Sequence, residues 1–102
     1  MEKFIYQLTL CKKQDMVYFS QLDLVRILER ALRRTNLNVV FTQGFNPHIK
    51  MSFSQALKLG REGKIEVILY FLKKYNLKEL KEIVSSQLPQ GLDISEITYL
   101  ER

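Results

Sequence analysis

The sequence predicts an α+β domain, and three observations predict it. Phe4 to Cys11 alternates between two faces with period two, as a half-buried strand does. Two stretches, one from Ser20 and one from Asn76, place apolar residues at helical spacing. Lys64 to Leu72 is apolar on both of its alternating faces, the mark of a strand central in its sheet. With the weaker runs between them, the order is strand, helix, strand, strand, helix, strand. Strands joined twice through a right-handed helical crossover give the ferredoxin-like βαββαβ sandwich, an antiparallel sheet with two helices on one face and the other face open. Residues 1–102 read as a single such domain.

Each element has its local reasons. In the first strand Phe4, Tyr6, Leu8 and Leu10 point one way, and Ile5, Gln7, Thr9 and Cys11 the other. Lys12 to Asp15 is a polar turn, and Met16 to Phe19 leads into the first helix. Ser20 is its N-cap, with Asp23 as a short-armed capping-box partner. Leu24, Ile27, Leu28, Ala31 and Leu32 form the helix's core stripe, flanked by Leu22 and Val25, and Asn36 terminates it. Asn38 to Thr42 is a short β-rich run, and Met51 to Leu59 continues as strand to a tight connection at Gly60-Arg61-Glu62-Gly63. In the strongest strand Ile65, Val67, Leu69 and Phe71 face the core, while Ile68, Tyr70 and Leu72 face the open side near Gln7 and Thr9. Asn76 caps a helix from Leu77 to Leu88 with the stripe Leu77, Leu80, Ile83, Val84 and Leu88. Pro89-Gln90-Gly91 ends it before a last strand, Leu92 to Leu100.

Composition narrows the function classes. The chain is 46% hydrophobic and 26% charged, which is globular rather than disordered. Its longest apolar run, Val67 to Leu72, falls far short of the ~20 residues of a membrane span. Lys12 and Lys13 close an N-terminal run already interrupted by Gln7 and Thr9, so no signal peptide is expected. A single cysteine, Cys11, excludes an internal disulfide and fits a cytoplasmic chain. One histidine, His48, and scattered carboxylates lack the spacing of a zinc site, so neither metal nor cofactor is expected. The net charge of +5 permits a polyanion as ligand and equally serves solubility.

Hydrophobic patterning stops dictating residues between Gln43 and Phe53. Gly44 admits a positive φ, and Pro47 pushes Asn46 towards an extended backbone, which stiffens the loop and aims Asn46 and His48. Phe45 and Phe53 either pin the loop to the core or offer stacking surfaces for a base. A structural loop whose Asn46 bonds its own backbone accounts for the same composition. Arg26, Arg30 and Arg33 stripe the first helix, and Lys50 and Lys58 follow in and after the loop. That stripe reads as a phosphate-tracking patch, or as a solvated face on which Asp23 and Glu29 offset Arg26 and Arg33.

Phe19-Ser20-Gln21-Leu22-Asp23-Leu24, Leu28-Glu29-Arg30-Ala31-Leu32-Arg33-Arg34, Gln43-Gly44-Phe45-Asn46-Pro47-His48 and Met51-Ser52-Phe53 together resemble the radical-SAM-linked conserved hypothetical family of bacteria. The resemblance runs over roughly the first two-thirds of the chain. Gln21, Ile49 and Leu69 depart from it, standing where the family usually has a histidine, a proline and an acid. It implies a partnership with a radical S-adenosylmethionine protein and names no activity; typical members are about twice as long. The expected function is an accessory binding module that presents RNA or another substrate to that partner. Its expected surface is Ser20, Asp23, Arg26 and Arg30 at the helix start with Gln43, Gly44, Phe45, Asn46, Pro47, His48 and Lys50 in the loop. The alternatives are an RNA-processing enzyme with His48 as acid or base, and a protein–protein adaptor. The apolar open face calls for a second copy or a partner domain over it.

Overall fold

A computed structural model describes residues 3–53 and 63–100, and within them the order of elements is the expected one. Strand β1 (Phe4–Lys12) leads through a 3₁₀ turn (Gln14–Tyr18) into helix α1 (Gln21–Arg33). A short β2 (Met51–Phe53) and a long β3 (Gly63–Phe71) follow, then helix α2 (Leu77–Ser85) and strand β4 (Leu92–Leu100). The sheet runs β2-β3-β1-β4 with every neighbouring pair antiparallel. This is the interleaved order of a ferredoxin-like α+β fold: each crossover helix joins two strands that have a third strand between them. The later part of the expected strand Met51 to Leu59, the Gly60–Gly63 connection as far as Glu62, and Lys58 lie outside the described residues.

One face of the sheet makes the core. Tyr6, Leu8 and Leu10 of β1 stand opposite Leu69, Val67 and Ile65 of β3, and all six are buried. Leu24, Leu28 and Leu32 of α1 and Leu80 and Val84 of α2 belong to the same buried cluster, so both helices close this face. Ile83 and Leu77, expected in the α2 stripe, are more than a third exposed. The buried residues of α2 are the i, i+4 pair Leu80 and Val84; the helix stops at Ser85, and Leu88 packs against the core from beyond its end. The bonds Gln87 N–H to Val84 O and Leu88 N–H to Ser85 O tighten its last turn into i, i+3 geometry. Likewise α1 ends before Asn36: the Thr35 hydroxyl donates to Leu32 O at 2.6 Å and satisfies a terminal carbonyl.

Gly91 adopts φ +94°, and a Cβ there would stand 2.7 Å from Met16 Cγ and 2.8 Å from Lys13 O. The turn into β4 therefore needs glycine both for its backbone and for the close approach of the 3₁₀ turn. Lys12, expected to begin a polar turn, instead closes β1 with its side chain buried, and burial lowers its ammonium pKa.

On the open face the register corrects one expectation. Tyr70 stands opposite Ile5, while Gln7 faces Ile68 and Thr9 faces Glu66, because the core pair Leu8 and Val67 sets the alignment. Lys50 Nζ lies 4.7 Å from the Tyr70 ring centroid, so the ring already carries a cation on its face.

The edge of β3 is what displays the loop. Residues Val67 to Leu69 pair with β2, but beyond them the edge is taken over by the segment before the loop. Val39 bridges Phe71, Val40 N–H donates to Tyr70 O at 3.0 Å, and Leu72 N–H donates to Asn38 O at 2.8 Å. The residues between these two edge pieces have no place in the sheet and project from it as a narrow hairpin. Lys50 N–H to Val40 O at 2.8 Å and Thr42 N–H to His48 O at 2.7 Å hold its two arms together.

Candidate anion-binding site

Phe41 to His48 are all exposed, although the two arms of their hairpin are hydrogen-bonded. Gly44, at φ +131°, occupies backbone space that residues with a Cβ rarely adopt, and nothing lies within 4 Å of where its Cβ would be. Its glycine is a requirement of the turn and not of crowding. The two loop phenylalanines differ in their surroundings. Phe53 packs against the core, whereas Phe45 at the tip is fully exposed.

The far arm of the hairpin leans on α1. His48 Nδ1 lies 3.2 Å from Glu29 Oε1, and Ile49 N–H reaches Glu29 Oε2 at 3.4 Å. The same Oε2 accepts from Arg33 at 2.9 Å. Glu29 is thus the tie between helix and loop, with a side chain only 14% exposed. Burial works to raise its pKa, but the hydrogen bonds from Arg33, His48 and Ile49 outweigh it and hold the carboxyl below the ordinary 4.5. With the folded value depressed, the tie contributes stability above the ordinary pKa and loses it as pH falls through the folded one.

Arg26, Glu29, Arg30, Arg33, Asn46 and His48 line a cleft of about 560 Å³ together with Pro47. Three guanidinium groups face one carboxylate there. Arg33 is engaged on both sides, by Glu29 and by the Phe41 ring with its centroid 5.4 Å away. Arg30 has no ion-pair or hydrogen-bond partner among the described residues, and Arg26 acts on Asp23 through its charge alone. Chemically the cleft offers an anion two uncommitted fork-shaped donors, an amide from Asn46 and an imidazole.

Of the residues expected at the site, Arg26, Arg30, Asn46, Pro47 and His48 line the cleft, and six do not: Ser20, Asp23, Gln43, Gly44, Phe45 and Lys50. The loop meets the second half of α1 and not its start. Ser20 and Asp23 form the helix's capping box: Asp23 N–H donates to Ser20 Oγ at 3.2 Å, and Ser20 N–H and Oγ–H both donate to Asp23 Oδ2 at 2.9 Å. The Ser20 amide, then its hydroxyl, lower the Asp23 pKa, with the charge of Arg26 a smaller cause. Lys50 sits on the opposite side of the hairpin, where it lines a second cleft with Lys3, Gln43 and Phe41. Glu29 is the residue that sequence reasoning missed as a site component. Its signal is its position, between Arg26 and Arg33 on a helix face that otherwise carries arginine.

Residues 6–102 match the family model described as an uncharacterized protein conserved in bacteria (DUF2344). The chain belongs to this family. No curated protein and no solved structure matches it. The DUF2344 match continues through α2 and β4, beyond the first two-thirds over which the recognisable strings run, and takes in all of the sandwich except the first two residues of β1. Among its described residues no group of three or more His, Cys, Asp and Glu side chains could hold a metal ion, and no helix is long and apolar enough to cross a membrane. Cys11 stands opposite Lys64 and Asp93 in the sheet while the His48 ring is bonded to Glu29, so they do not form a nucleophile–base pair.

A structural role for the two polar side chains makes a clear contrast with a binding role. Asn46 is exposed and makes no side-chain hydrogen bond among the described residues, and His48 has a 67% exposed side chain. Asn46→Ala and His48→Ala are each expected to alter unfolding free energy by no more than about 0.5–1 kcal/mol, the scale of a surface change plus an exposed ion pair. Thermal melts check this; a loss of several kcal/mol from either would make the hairpin a structural element.

Proposed function

We propose that this domain is a non-catalytic binding module that holds RNA by its phosphates at the α1–hairpin cleft and works beside a radical S-adenosylmethionine protein. The observation that carries the proposal is the pair Arg26 and Arg30, aimed into a cleft with no carboxylate bound to either, next to the exposed amide of Asn46. Guanidinium forks match phosphate oxygens in shape and charge, and such contacts position a nucleic acid without reading its sequence. The net charge of +5 supplies the long-range attraction. The partnership with a radical S-adenosylmethionine protein is supported by the sequence resemblance alone.

The test is the salt dependence of RNA affinity for the unmodified chain. Neutralised phosphates release counterions, so log K should fall linearly with log salt, by about 0.7 per phosphate contacted on a single strand and about 0.9 on a duplex. Recovery of a radical S-adenosylmethionine protein with the tagged chain from cells would test the partnership separately. Binding that ignores salt, or no binding at low salt, contradicts the RNA reading.

The His48–Glu29 contact favours a second reading, an RNA-processing enzyme. A carboxylate on Nδ1 orients an imidazole and leaves Nε2 to transfer a proton, the arrangement of many acid–base histidines. RNA turnover by the isolated chain that disappears in His48→Ala would establish it over the binding module.

Within the main proposal the apolar open face is where the partner protein sits. Ile5, Ile68 and Tyr70 are half-buried there, and Leu72, just past the end of β3, is 43% exposed. Sedimentation of the isolated chain is expected to show a monomer that shifts only when the partner is added. Self-association at moderate concentration would give that face to a second copy and make the domain a homodimer.

A further inference from the structure

Phe45 is 104% exposed, at the tip of a hairpin whose base is fixed to the sheet. An isolated apolar residue on a surface is common, but this ring is held out by a turn that Gly44 alone makes possible. Its neighbour Asn46 lines the arginine cleft on one side of the hairpin, and Gln43 lines the lysine-flanked cleft on the other. Consecutive Cα atoms are only about 3.8 Å apart, so the ring stands at the crest between two basic clefts. Phe41, 45% exposed, lines the second cleft and carries Arg33 over its ring.

Building on the RNA reading above, we propose that the hairpin tip is a base-stacking platform that restricts the ligand to unpaired RNA. Phe45 takes the face of an unstacked base, while Arg26 and Arg30 hold the phosphates on one side and Lys3 and Lys50 those on the other. Basic grooves interleaved with aromatic rings are how proteins hold single strands without sequence preference, since every base has a π-face. A duplex hides those faces within its own stack and leaves the ring nothing to cover. A lipid surface is the poorer match. Interfacial anchors present a broad apolar face, whereas Phe45 is flanked by Gln43, Gly44 and Asn46.

The experiment measures anisotropy of one labelled RNA oligonucleotide, single-stranded and then annealed to its complement, with the full chain and with Phe45→Ala, Phe45→Tyr and Arg30→Glu. The unmodified chain is expected to prefer the single strand. Phe45→Ala should lose about 5- to 150-fold in single-strand affinity, the effect of one base–aromatic stack, with its salt slope unchanged. Phe45→Tyr should keep the affinity, and Arg30→Glu should flatten the salt slope. Melting curves confirm that each exposed-site variant is folded. Salt-dependent binding that Phe45→Ala leaves intact, or equal affinity for strand and duplex, overturns the stacking platform and spares the phosphate cleft. No RNA binding by the unmodified chain at low salt overturns both. Phe45-dependent attachment to anionic vesicles in place of RNA would assign the tip to a membrane and overturn the proposal.

Discussion

Arg26→Glu combined with Arg30→Glu is expected to reduce RNA affinity by more than tenfold near physiological salt. Each reversal removes two charges, taking the net charge from +5 to +1. Two lost phosphate contacts on a single strand lower the salt slope by about 1.4, and between roughly 50 and 200 mM salt a slope of that size is worth about sevenfold. The glutamates then add repulsion in the cleft where guanidinium groups had been attractive. Stability should barely respond, because both positions are exposed on α1 and neither side chain is hydrogen-bonded among the described residues. Affinity measured across a salt series, with circular dichroism on the same samples, checks both halves. The loss should be the same for unrelated RNA sequences, since phosphate contacts carry no sequence information.

Tyr6 is the position where the largest loss of stability is expected. Its ring is fully buried, edge-on to Phe71 at 5.6 Å and tilted against Tyr99 at 5.1 Å, so it joins three strands of the sheet. Its hydroxyl donates to Tyr75 O at 3.0 Å and accepts from Tyr75 N–H at 2.8 Å, closing the loop between β3 and α2. Tyr6→Ala empties this site and should cost about 3–5 kcal/mol, as aromatic truncation in a packed core does. Tyr6→Phe keeps the packing but strands two backbone groups of Tyr75, at a cost of about 1–3 kcal/mol. Urea unfolding midpoints separate the two variants. Near-identical values for phenylalanine and tyrosine would mean that the Tyr75 groups find water instead.

Much of the sandwich was legible because its elements are local. Period-two alternation in β1 and β3 identifies their core faces without reference to any partner strand, and the Ser20–Asp23 capping box marks the start of α1 within four residues of sequence. Register was not legible. Tyr70 stands opposite Ile5 because of how Leu8 packs against Val67, a tertiary fact that period two leaves open by any even shift. At the site, composition alone marked the hairpin as unusual, since Gly44, Asn46, Pro47 and His48 serve no core. Its docking against the second half of α1 depends on where the β3 edge changes partner, and nothing in the strings themselves encodes that. Ser20 and Asp23 show the converse. A side chain that looks available in sequence is already used when its own helix needs a cap.

The most direct measurement is an amide NMR titration of the chain with a single-stranded RNA oligonucleotide. The account predicts shift changes concentrated at Arg26, Arg30, Asn46 and His48, with Phe45 moving alongside them. Changes confined to the open sheet face around Gln7, Ile68 and Tyr70, or no changes at low salt, would contradict it.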